Sequence, residues 1–296
     1  MINLQSLEYP YYYYAVEEED ICKDFKLLKK NNLKTIKENK SLITWKVDYT
    51  KNINIYKITD FFSEEVRVKC NFKDHVSPYN FYRNSKYYHQ NKIANYKELD
   101  NFIYNNSKLC SNFPVTVAQE VYRYFKAKKV LDFSAGWGDR LIAAMSYGCH
   151  YTGVDPNKDM INKYAAMIDF FSGNFEKYNV YTQGFEDFII KEKYDLVFTS
   201  PPFFDLETYS DDQTQSIKKF PSLEKWKKNF MFMSIRKSKQ SLIKNGCLAL
   251  YINDFNKTKY VSDVINYAKS IGLEYKGYLS WKAEKYAKKI FVWQKV

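Results

Sequence analysis

The sequence predicts an α/β fold with a doubly wound, mostly parallel sheet that begins near residue 111. From there on, short apolar segments alternate with segments of helical periodicity, which is the pattern of βαβ units with parallel strands. A glycine-containing turn, SAGWG at 134–138, follows the first of these strands, and such turns accompany ligand sites at the carboxyl edge of doubly wound sheets. The chain closes with two apolar segments, 273–281 and 288–296, that predict an antiparallel hairpin.

The individual elements follow from apolar spacing and from end signals such as Gly148, which is typical of a helix C-terminus. Apolar residues spaced three and four positions apart predict helices at 115–125, 138–148, 157–173, about 223–244 and 257–272. Compact apolar segments bounded by polar or glycine residues predict strands at 128–134, 150–155, 179–184, 194–200 and 246–254. With the closing hairpin, the predicted sheet has seven strands.

The residues before this pattern have a different character. They open with the aromatic run YPYYYY and the acidic run EEED, and their hydrophobic periodicity is weak. We interpret 1–110 as a small N-terminal domain that is accessory to the domain at 111–296 and is a candidate for substrate recognition.

Composition narrows the class of protein. A hydrophobic content of 45% and an aromatic content of 19% indicate a folded globular chain rather than a disordered one. No run of 18 apolar residues is present, which argues against a membrane span, and the N-terminus lacks the basic and apolar segments of a signal peptide. We therefore expect an intracellular protein, in the cytoplasm or the nucleus, without a membrane partner.

Cysteine and histidine usage argues against metal and disulfide chemistry. The five cysteines contain no CxxC pair, so neither the common zinc spacings nor a disulfide framework is indicated. The three histidines are widely scattered. We expect no metal site.

The net charge of +12 is unevenly distributed along the chain. Residues 231–296 hold 13 Lys and Arg against 4 Asp and Glu, and a concentrated basic region is typical of a protein with a polyanionic partner. Only five of the 46 basic residues are Arg, so coding bias is an alternative explanation for the abundance of lysine. Bias does not explain why acidic residues become sparse at the C-terminus.

Two acidic residues and two glycines mark the ends of the first two predicted strands. Gly136 and Gly138 permit a tight turn close to a ligand, but the dinucleotide fingerprint requires a third glycine where this chain has Leu141. Asp132 can take a cationic or amino group, and Asp155 can accept two hydrogen bonds from ribose hydroxyls. The pattern therefore favours a ribose-bearing ligand without phosphates.

The segments DFSAGWGDR, GVDP and TSPPFF together resemble the class I S-adenosylmethionine-dependent methyltransferases. More narrowly, they are similar to the amino-methyltransferases of DNA, whose motif (D/N/S)PP(Y/F/W) matches Ser200, Pro201, Pro202 and Phe203. The resemblance covers about 111–296. It implies a Rossmann-like fold, S-adenosyl-L-methionine as cofactor, and methyl transfer to cytosine N4 or adenine N6.

The resemblance also implies roles for the motif residues. The side-chain oxygen of Ser200 and the carbonyl of Pro201 would orient the acceptor amino group, whose lone pair is conjugated into the base. Pro201 and Pro202 fix the backbone and remove N–H donors, and Phe203 would stack on an extruded base. Ser200 is no useful base, so positioning is expected to supply most of the rate.

The remaining site residues are carried over in two groups. The implied cofactor contacts are Asp132, Ser134, Gly136, Gly138, Asp155, Phe113, Pro114, Thr116, Phe185 and Glu186. The nucleic-acid contacts expected from the strand corner and from the basic hairpin tip are Phe204, Lys282, Lys285, Lys288 and Lys289, with Trp281 or Tyr286 able to stack on a base. A solvated lysine-rich turn is the alternative for the tip.

The long polar segment after the SPPF corner, 205–226, favours a lid over a plain connection. Its candidates for the site are Asp205, Glu207 and Tyr209, without an assigned role.

Two alternatives to a DNA methyltransferase remain open at this point. One is a methyltransferase that acts on an RNA base or on a protein amide, although protein-amide members usually carry Asn where this chain has Ser200. The other is a nucleic-acid-binding protein on the same fold that does not catalyse a reaction.

Overall fold

The structure is a computed structural model of the 296-residue chain. It describes residues 2–3, 8–37, 40–49, 55, 57–85, 93–94, 96–210, 212–255, 258–283 and 286–296.

Strands and helices are numbered in chain order. The strands are β1 (Ile2–Asn3), β2 (Lys34–Ile36), β3 (Ile43–Lys46), β4 (Asn71–Phe72), β5 (Ile93–Ala94), β6 (Lys129–Asp132), β7 (His150–Asp155), β8 (Tyr178–Thr182), β9 (Tyr194–Thr199), β10 (Glu207–Thr208), β11 (Leu242–Tyr251), β12 (Leu273–Lys282) and β13 (Lys288–Lys295). The helices are α1 (Glu18–Lys30), α2 (Asp60–Arg67), α3 (Pro78–Arg83), α4 (Tyr96–Asn106), α5 (Val115–Phe125), α6 (Asp139–Tyr147), α7 (Ile161–Phe171), α8 (Ser216–Lys219), α9 (Leu223–Trp226), α10 (Met233–Ser241) and α11 (Val261–Ser270).

The main sheet has the strand order β2-β3-β12-β13-β11-β9-β6-β7-β8. Strands β6 to β9 and β11 run parallel to one another, whereas β13 lies antiparallel between β11 and β12. All seven predicted strands are present. Counted along the chain, they lie in the order third, second, first, fourth, fifth, seventh, sixth, which is the strand order of the class I methyltransferase fold. The predicted fold class is therefore confirmed.

The N-terminal region extends this sheet. Strand β3 pairs parallel with β12, with Trp45 opposite Trp281, and β2 pairs with β3, so the sheet has nine strands. On one face of the sheet, α1 packs against α6, and the side chain of Gln119 in α5 donates a hydrogen bond of 3.0 Å to the carbonyl of Leu28 in α1. The two predicted regions thus share one sheet, and the boundary at residue 110 stays a prediction.

Alternating strand residues separate two hydrophobic layers. In β6, Val130 belongs to the cluster that contains α5 and α6, and Leu131 belongs to the cluster that contains α10 and α11. Both residues are fully buried. This arrangement follows from the period of two in a strand, and it leaves the strand ends free to carry polar groups.

The helix predicted at about 223–244 is interrupted. A π-helical segment, Lys227–Phe232, separates α9 from α10, and the helix ends at Ser241. Trp226, Phe230 and Met231 are all at most 4% exposed. The wider turn brings these neighbouring positions onto one buried face, which a regular helix of 3.6 residues per turn does less well.

The turn after β6 is closely packed at Gly138. It has a φ of 93°, and a Cβ atom there would lie 2.5 Å from the sulfur of Met167. Gly148 has a similar φ of 96°, but a Cβ atom there would meet nothing within 4 Å. Gly148→Ala is expected to cost about 1–2 kcal/mol of unfolding free energy from the backbone conformation alone. Gly138→Ala is expected to cost a further 1–3 kcal/mol or so from overpacking. Urea denaturation of both variants measures the difference, and equal losses would contradict the packing argument.

Candidate active site

A pocket opens at the carboxyl edge of the parallel strands, where β6, β7, β8 and β9 end. Its wall contains residues that the sequence predicted from separate segments: Phe113, Ser134, Gly136, Asp155, Phe185, Glu186, Ser200, Pro202 and Phe203. The carboxyl ends of parallel strands meet at one edge of the sheet, and the fold brings these distant segments together for that reason.

Asp155 ends β7 and is held by two backbone amides. Gly136 donates a hydrogen bond of 2.8 Å to Oδ2, and Asn157 donates one of 3.0 Å to Oδ1. Each oxygen keeps a further lone pair for a ligand. Burial raises the pKa of Asp155 to about 6, and the two backbone hydrogen bonds oppose that shift. The carboxylate is therefore pre-oriented to accept a pair of hydroxyl groups.

Asp132 does not line the pocket, contrary to the sequence expectation of a direct ligand contact. The side chain is fully buried, and it accepts hydrogen bonds from Arg140 Nε at 2.7 Å and from the Tyr151 hydroxyl at 2.7 Å. The Ser134 amide donates a third, at 3.2 Å. These partners occupy the carboxylate beneath the glycine turn, because an isolated charge at this depth would be costly.

Three other predicted cofactor contacts also lie off the wall. Gly138 supports the turn from below, against Met167. Pro114 occupies the N-cap position of α5, and Thr116 is 1% exposed within that helix. Their positions assign them to the scaffold of the pocket, and only their neighbour Phe113 reaches the wall.

The SPPF corner follows β9 directly. Ser200, Pro202 and Phe203 line the pocket, and Pro201 is buried beside them. The ring of Phe203 packs edge-on against Tyr251, with centroids 5.5 Å apart. Tyr251 also lines the pocket, so this end of the wall is aromatic.

Phe204 turns away from the pocket wall. It adopts a φ of 54°, and its ring packs on Trp226 at a centroid distance of 5.7 Å. The corner therefore reverses the chain after Phe203. Phe204 is half-buried, and its contact with a nucleic acid stays a prediction.

The turn after β8 carries Phe185 and Glu186. The ring of Phe185 stacks on Phe133 with centroids 5.0 Å apart, and the Glu186 carboxylate pairs with Lys219 at 2.5 Å. Lys237 donates hydrogen bonds to the carbonyls of both residues, at 2.6 and 2.9 Å. Sequence reasoning missed Lys237, because one lysine in a helix has no pattern that distinguishes it from a solvated one.

The predicted lid, 205–226, forms part of the wall. Five of its residues line the pocket: Glu207, Tyr209, Thr214, Gln215 and Ser216. Asp212 of this segment pairs with Lys158 at 3.1 Å, beyond the end of β7. Gln215 is 5% exposed, and among the described residues its Nε2 has no hydrogen-bond partner. A buried amide without a partner indicates room for a ligand acceptor.

A stretch before α5 forms the opposite end of the pocket and was not predicted beyond Phe113. Ser111 lies on the wall, and its carbonyl accepts a hydrogen bond of 3.2 Å from the Trp137 indole. Asp139 also lies on the wall and accepts a hydrogen bond of 3.2 Å from the Phe113 amide. Burial raises the pKa of Asp139 to about 6.

Helix α2 of the N-terminal region supports this stretch. The buried Arg67 donates a hydrogen bond of 3.0 Å to the carbonyl of Cys110 and pairs with Asp60 at 2.5 Å. Asp60 also accepts a hydrogen bond of 3.0 Å from the Asn112 side chain. The N-terminal region thus positions one end of the pocket, whatever further role it has.

No protein-family model matches the chain, and no curated protein matches it. The solved structure of TrmN from Thermus thermophilus aligns at 14% identity with a TM-score of 0.45, over 62% of this chain and 49% of that one, so the match spans about half of TrmN. Magnesium protoporphyrin IX methyltransferase (ChlM) from Synechocystis PCC 6803, solved with bound SAM, aligns at 14% identity with a TM-score of 0.45, over 73% and 94%. N-methyltransferase NodS from Bradyrhizobium japonicum, in complex with S-adenosyl-l-homocysteine, aligns at 12% identity with a TM-score of 0.42, over 62% and 89%. Because these TM-scores are below 0.5, the structural similarities support no conclusion about this chain. The fold assignment rests on the strand order of its own sheet.

The basic hairpin lies next to the aromatic end of the pocket. Trp281 is 1% exposed and packs between Phe113 and Tyr251, at centroid distances of 5.3 and 4.9 Å. Because the ring of Trp281 is buried, it is not accessible for stacking on a base. Tyr286 is 77% exposed and keeps that possibility.

The predicted phosphate contacts lie on the same hairpin. Lys288 lies 5.9 Å from the Trp281 ring, and Lys289 lies 4.8 Å from the Tyr278 ring. Lys282 is half-buried, and Lys285 lies outside the described residues. Contact between these lysines and a nucleic acid stays a prediction.

No group of three His, Cys, Asp or Glu residues in the described part of the chain could hold a metal ion. No helix there is both long enough and apolar enough to cross a membrane.

Proposed function

We propose that this chain is an S-adenosylmethionine-dependent methyltransferase that acts on an exocyclic amino group of a nucleic-acid base, with DNA favoured over RNA. One observation carries the proposal: the SPPF corner and the Asp155 site open into the same pocket. On this proposal, one pocket would hold both the ribose of the cofactor and the amino group of the acceptor.

The residues of the pocket fit the cofactor. Asp155 would accept the two ribose hydroxyls, and Phe185 would pack on the adenine, with Glu186 near its amino group. The unpartnered Nε2 of Gln215 offers one donor more. When bound, S-adenosylmethionine supplies an electrophilic methyl group on a sulfonium.

The chain's own contribution is orientation of the acceptor. Ser200 and the Pro201 carbonyl would accept the two hydrogens of the amino group, so that its lone pair faces the cofactor. The rings of Phe203 and Tyr251, 5.5 Å apart and edge-on, form an apolar wall on which a planar base can pack. Exclusion of water by this aromatic end strengthens the polar contacts.

The charge pattern supports a polyanionic substrate. The excess of Lys and Arg over acidic residues in 231–296 includes the hairpin beside the aromatic end of the pocket. Lysines there could contact phosphates while a base enters the site.

The decisive experiment is methyl transfer from radiolabelled S-adenosylmethionine to single-stranded DNA, duplex DNA and RNA in parallel. Labelled products are digested to nucleosides and identified by mass. Methylcytosine or methyladenine from DNA would support the proposal and identify the base. Label only in RNA would replace DNA with RNA as substrate. No label in any pool, with the cofactor still bound, would exclude these substrates.

Ser200→Ala separates orientation from cofactor binding. Loss of one acceptor is expected to lower kcat by roughly 10- to 100-fold, in line with the free energy of one hydrogen bond formed in a water-excluded site. The cofactor Kd is expected to change less than about threefold, because the hydroxyl serves the acceptor. Single-turnover kinetics and calorimetry measure the two quantities.

Ser172→Ala is the matched control, because this exposed serine ends α7 away from the pocket. An equal effect of Ser200→Ala on cofactor binding and on kcat would contradict the role given to Ser200.

A further inference from the structure

The pocket has two chemically different ends. Asp155, Phe185 and Glu186 lie at the ends of β7 and β8, where the proposed function puts the adenosine. Ser111, Trp137 and Glu207 form a second group on the wall, in which Ser111 is hydrogen-bonded to both of the others. The amino-acid tail of a cofactor whose adenosine is held at the first end is left for the second.

That tail carries an α-ammonium group, which requires an acceptor. Asp132 was the carboxylate expected to take such a group, but it is fully buried and already engaged by Arg140 and Tyr151. An ammonium removed from water without a carboxylate or carbonyl partner would lower affinity severely. The ammonium therefore needs a carboxylate other than Asp132. Asp139 also lies on the wall, where it accepts a hydrogen bond from the Phe113 amide, and Glu207 is the carboxylate that the lid segment supplies.

Glu207 supplies a carboxylate at this end. It is 5% exposed and lines the pocket. Its Oε1 accepts a hydrogen bond of 2.9 Å from the Ser111 amide, and its Oε2 accepts one of 2.6 Å from the Tyr209 hydroxyl. Each oxygen keeps a lone pair, as at Asp155.

The neighbours of Glu207 connect it to the glycine turn. The ring of Tyr209 packs edge-on against Trp137 of that turn, with centroids 5.7 Å apart. Strand β10, which contains Glu207, pairs with β4, with Glu207 opposite Phe72. Three segments thus fix the position of the carboxylate: the lid through Tyr209, the N-terminal region through β4, and the stretch before α5 through Ser111.

The cations that act on Glu207 are engaged elsewhere. Arg67 pairs with Asp60 at 2.5 Å, and Lys108 lies 4.0 Å from the centroid of the Phe72 ring. Burial raises the pKa of Glu207, because removal from water disfavours the charged carboxylate more than its hydrogen bonds and these cations favour it.

We infer that Glu207 is the counterion for the α-ammonium of the cofactor, in the role that the sequence assigned to Asp132. The inference rests on the proposed function, and it assigns to the lid segment a direct part in cofactor binding. A carboxylate from the lid couples cofactor binding to the position of 205–226.

The test is a two-by-two binding comparison on the full chain by calorimetry. The proteins are the unmodified chain and Glu207→Gln, which keeps the side-chain shape and one acceptor oxygen. The ligands are S-adenosylhomocysteine and its desamino analogue, in which hydrogen replaces the α-ammonium. Glu207→Gln is expected to weaken the binding of S-adenosylhomocysteine by roughly 10- to 100-fold, the effect of losing one charge-assisted hydrogen bond. The analogue is expected to bind both proteins equally, which also reports that the variant pocket is folded.

Asp205→Asn is the matched control, because the structure leaves Asp205 exposed and outside the pocket wall. It is expected to change neither affinity. The inference would be overturned if Glu207→Gln weakened the binding of both ligands equally, or if it changed the binding of neither. Unchanged binding with lower turnover would also overturn it and assign Glu207 to the methyl acceptor.

Failure of the proposed cofactor site gives a different result, since the unmodified chain would then bind neither ligand. Failure of the proposed nucleic-acid substrate alone is seen in the methyl-transfer assay and leaves these binding results unchanged. If Glu207→Gln does not fold, the unmodified chain and Glu207→Asp are compared in its place. The unmodified chain is then expected to prefer S-adenosylhomocysteine over the analogue by roughly 10-fold or more. Glu207→Asp, whose carboxylate is one methylene shorter, is expected to lose part of that preference. No preference in the unmodified chain, or the same preference in both proteins, would overturn the inference.

Discussion

Asp155→Ala is expected to weaken binding of adenosine-type ligands on the order of 100-fold or more, since two hydrogen bonds to a charged acceptor are lost together. The loss is expected in affinity rather than in the chemical step, because the proposed contact of Asp155 is with the ribose and not with the methyl acceptor. Calorimetry with 5′-methylthioadenosine and S-adenosylhomocysteine measures it. Asp159→Ala removes an exposed carboxylate from the same connection and is expected to have little effect.

The protonation of Asp155 gives a second readout of the same prediction. Its pKa is raised to about 6, so the carboxylate that accepts hydroxyl groups is depleted as the pH falls below 6. Binding of 5′-methylthioadenosine is therefore expected to be about tenfold weaker at pH 5 than at pH 8 and to level off above pH 7. Asp139 also has a pKa of about 6, so both carboxylates can contribute to the pH dependence of binding. The contribution of Asp155 is the portion of that dependence that disappears in Asp155→Ala. An unchanged pH dependence in that variant would contradict the assignment.

The fold was predictable because its information is local. Each βαβ unit has its own apolar pattern, and the rule that parallel strands end at one edge brings distant motifs together. Asp155 and Ser200 could therefore be assigned to one site before any distance between them was known. The two short strands β2 and β3 were missed because segments of three and four residues contain too little periodicity to recognise.

The parts of the site that were missed depend on three-dimensional partners. The sequence shows a carboxylate at position 132, but not that Arg140 and Tyr151 would enclose it. Glu207 and Gln215 lie in a polar segment without periodicity, so nothing in the pattern indicates that they are buried. Motifs defined by spacing were predictable, and polar groups defined by burial were not.

Arg140→Met is expected to lower the free energy of unfolding by about 3–5 kcal/mol, the range found when one partner of a buried ion pair is removed. Arg140 donates to Asp132 at 2.7 Å and also to the carbonyl of Ser134. The variant leaves Asp132 charged at a fully buried position with only Tyr151 and the Ser134 amide as partners. Urea denaturation with linear extrapolation measures the loss.

The double variant Asp132→Asn with Arg140→Met tests whether charge, rather than packing, causes this loss. Asparagine removes the uncompensated charge and keeps an acceptor for Tyr151, so the double variant is expected to recover about 1–3 kcal/mol relative to Arg140→Met. Lys276→Met breaks an exposed pair with Glu274, at 2.9 Å, and is expected to cost less than about 1 kcal/mol. If the double variant is no more stable than Arg140→Met, the pair acts by filling space beneath the glycine turn, and the engagement of Asp132 is steric rather than electrostatic.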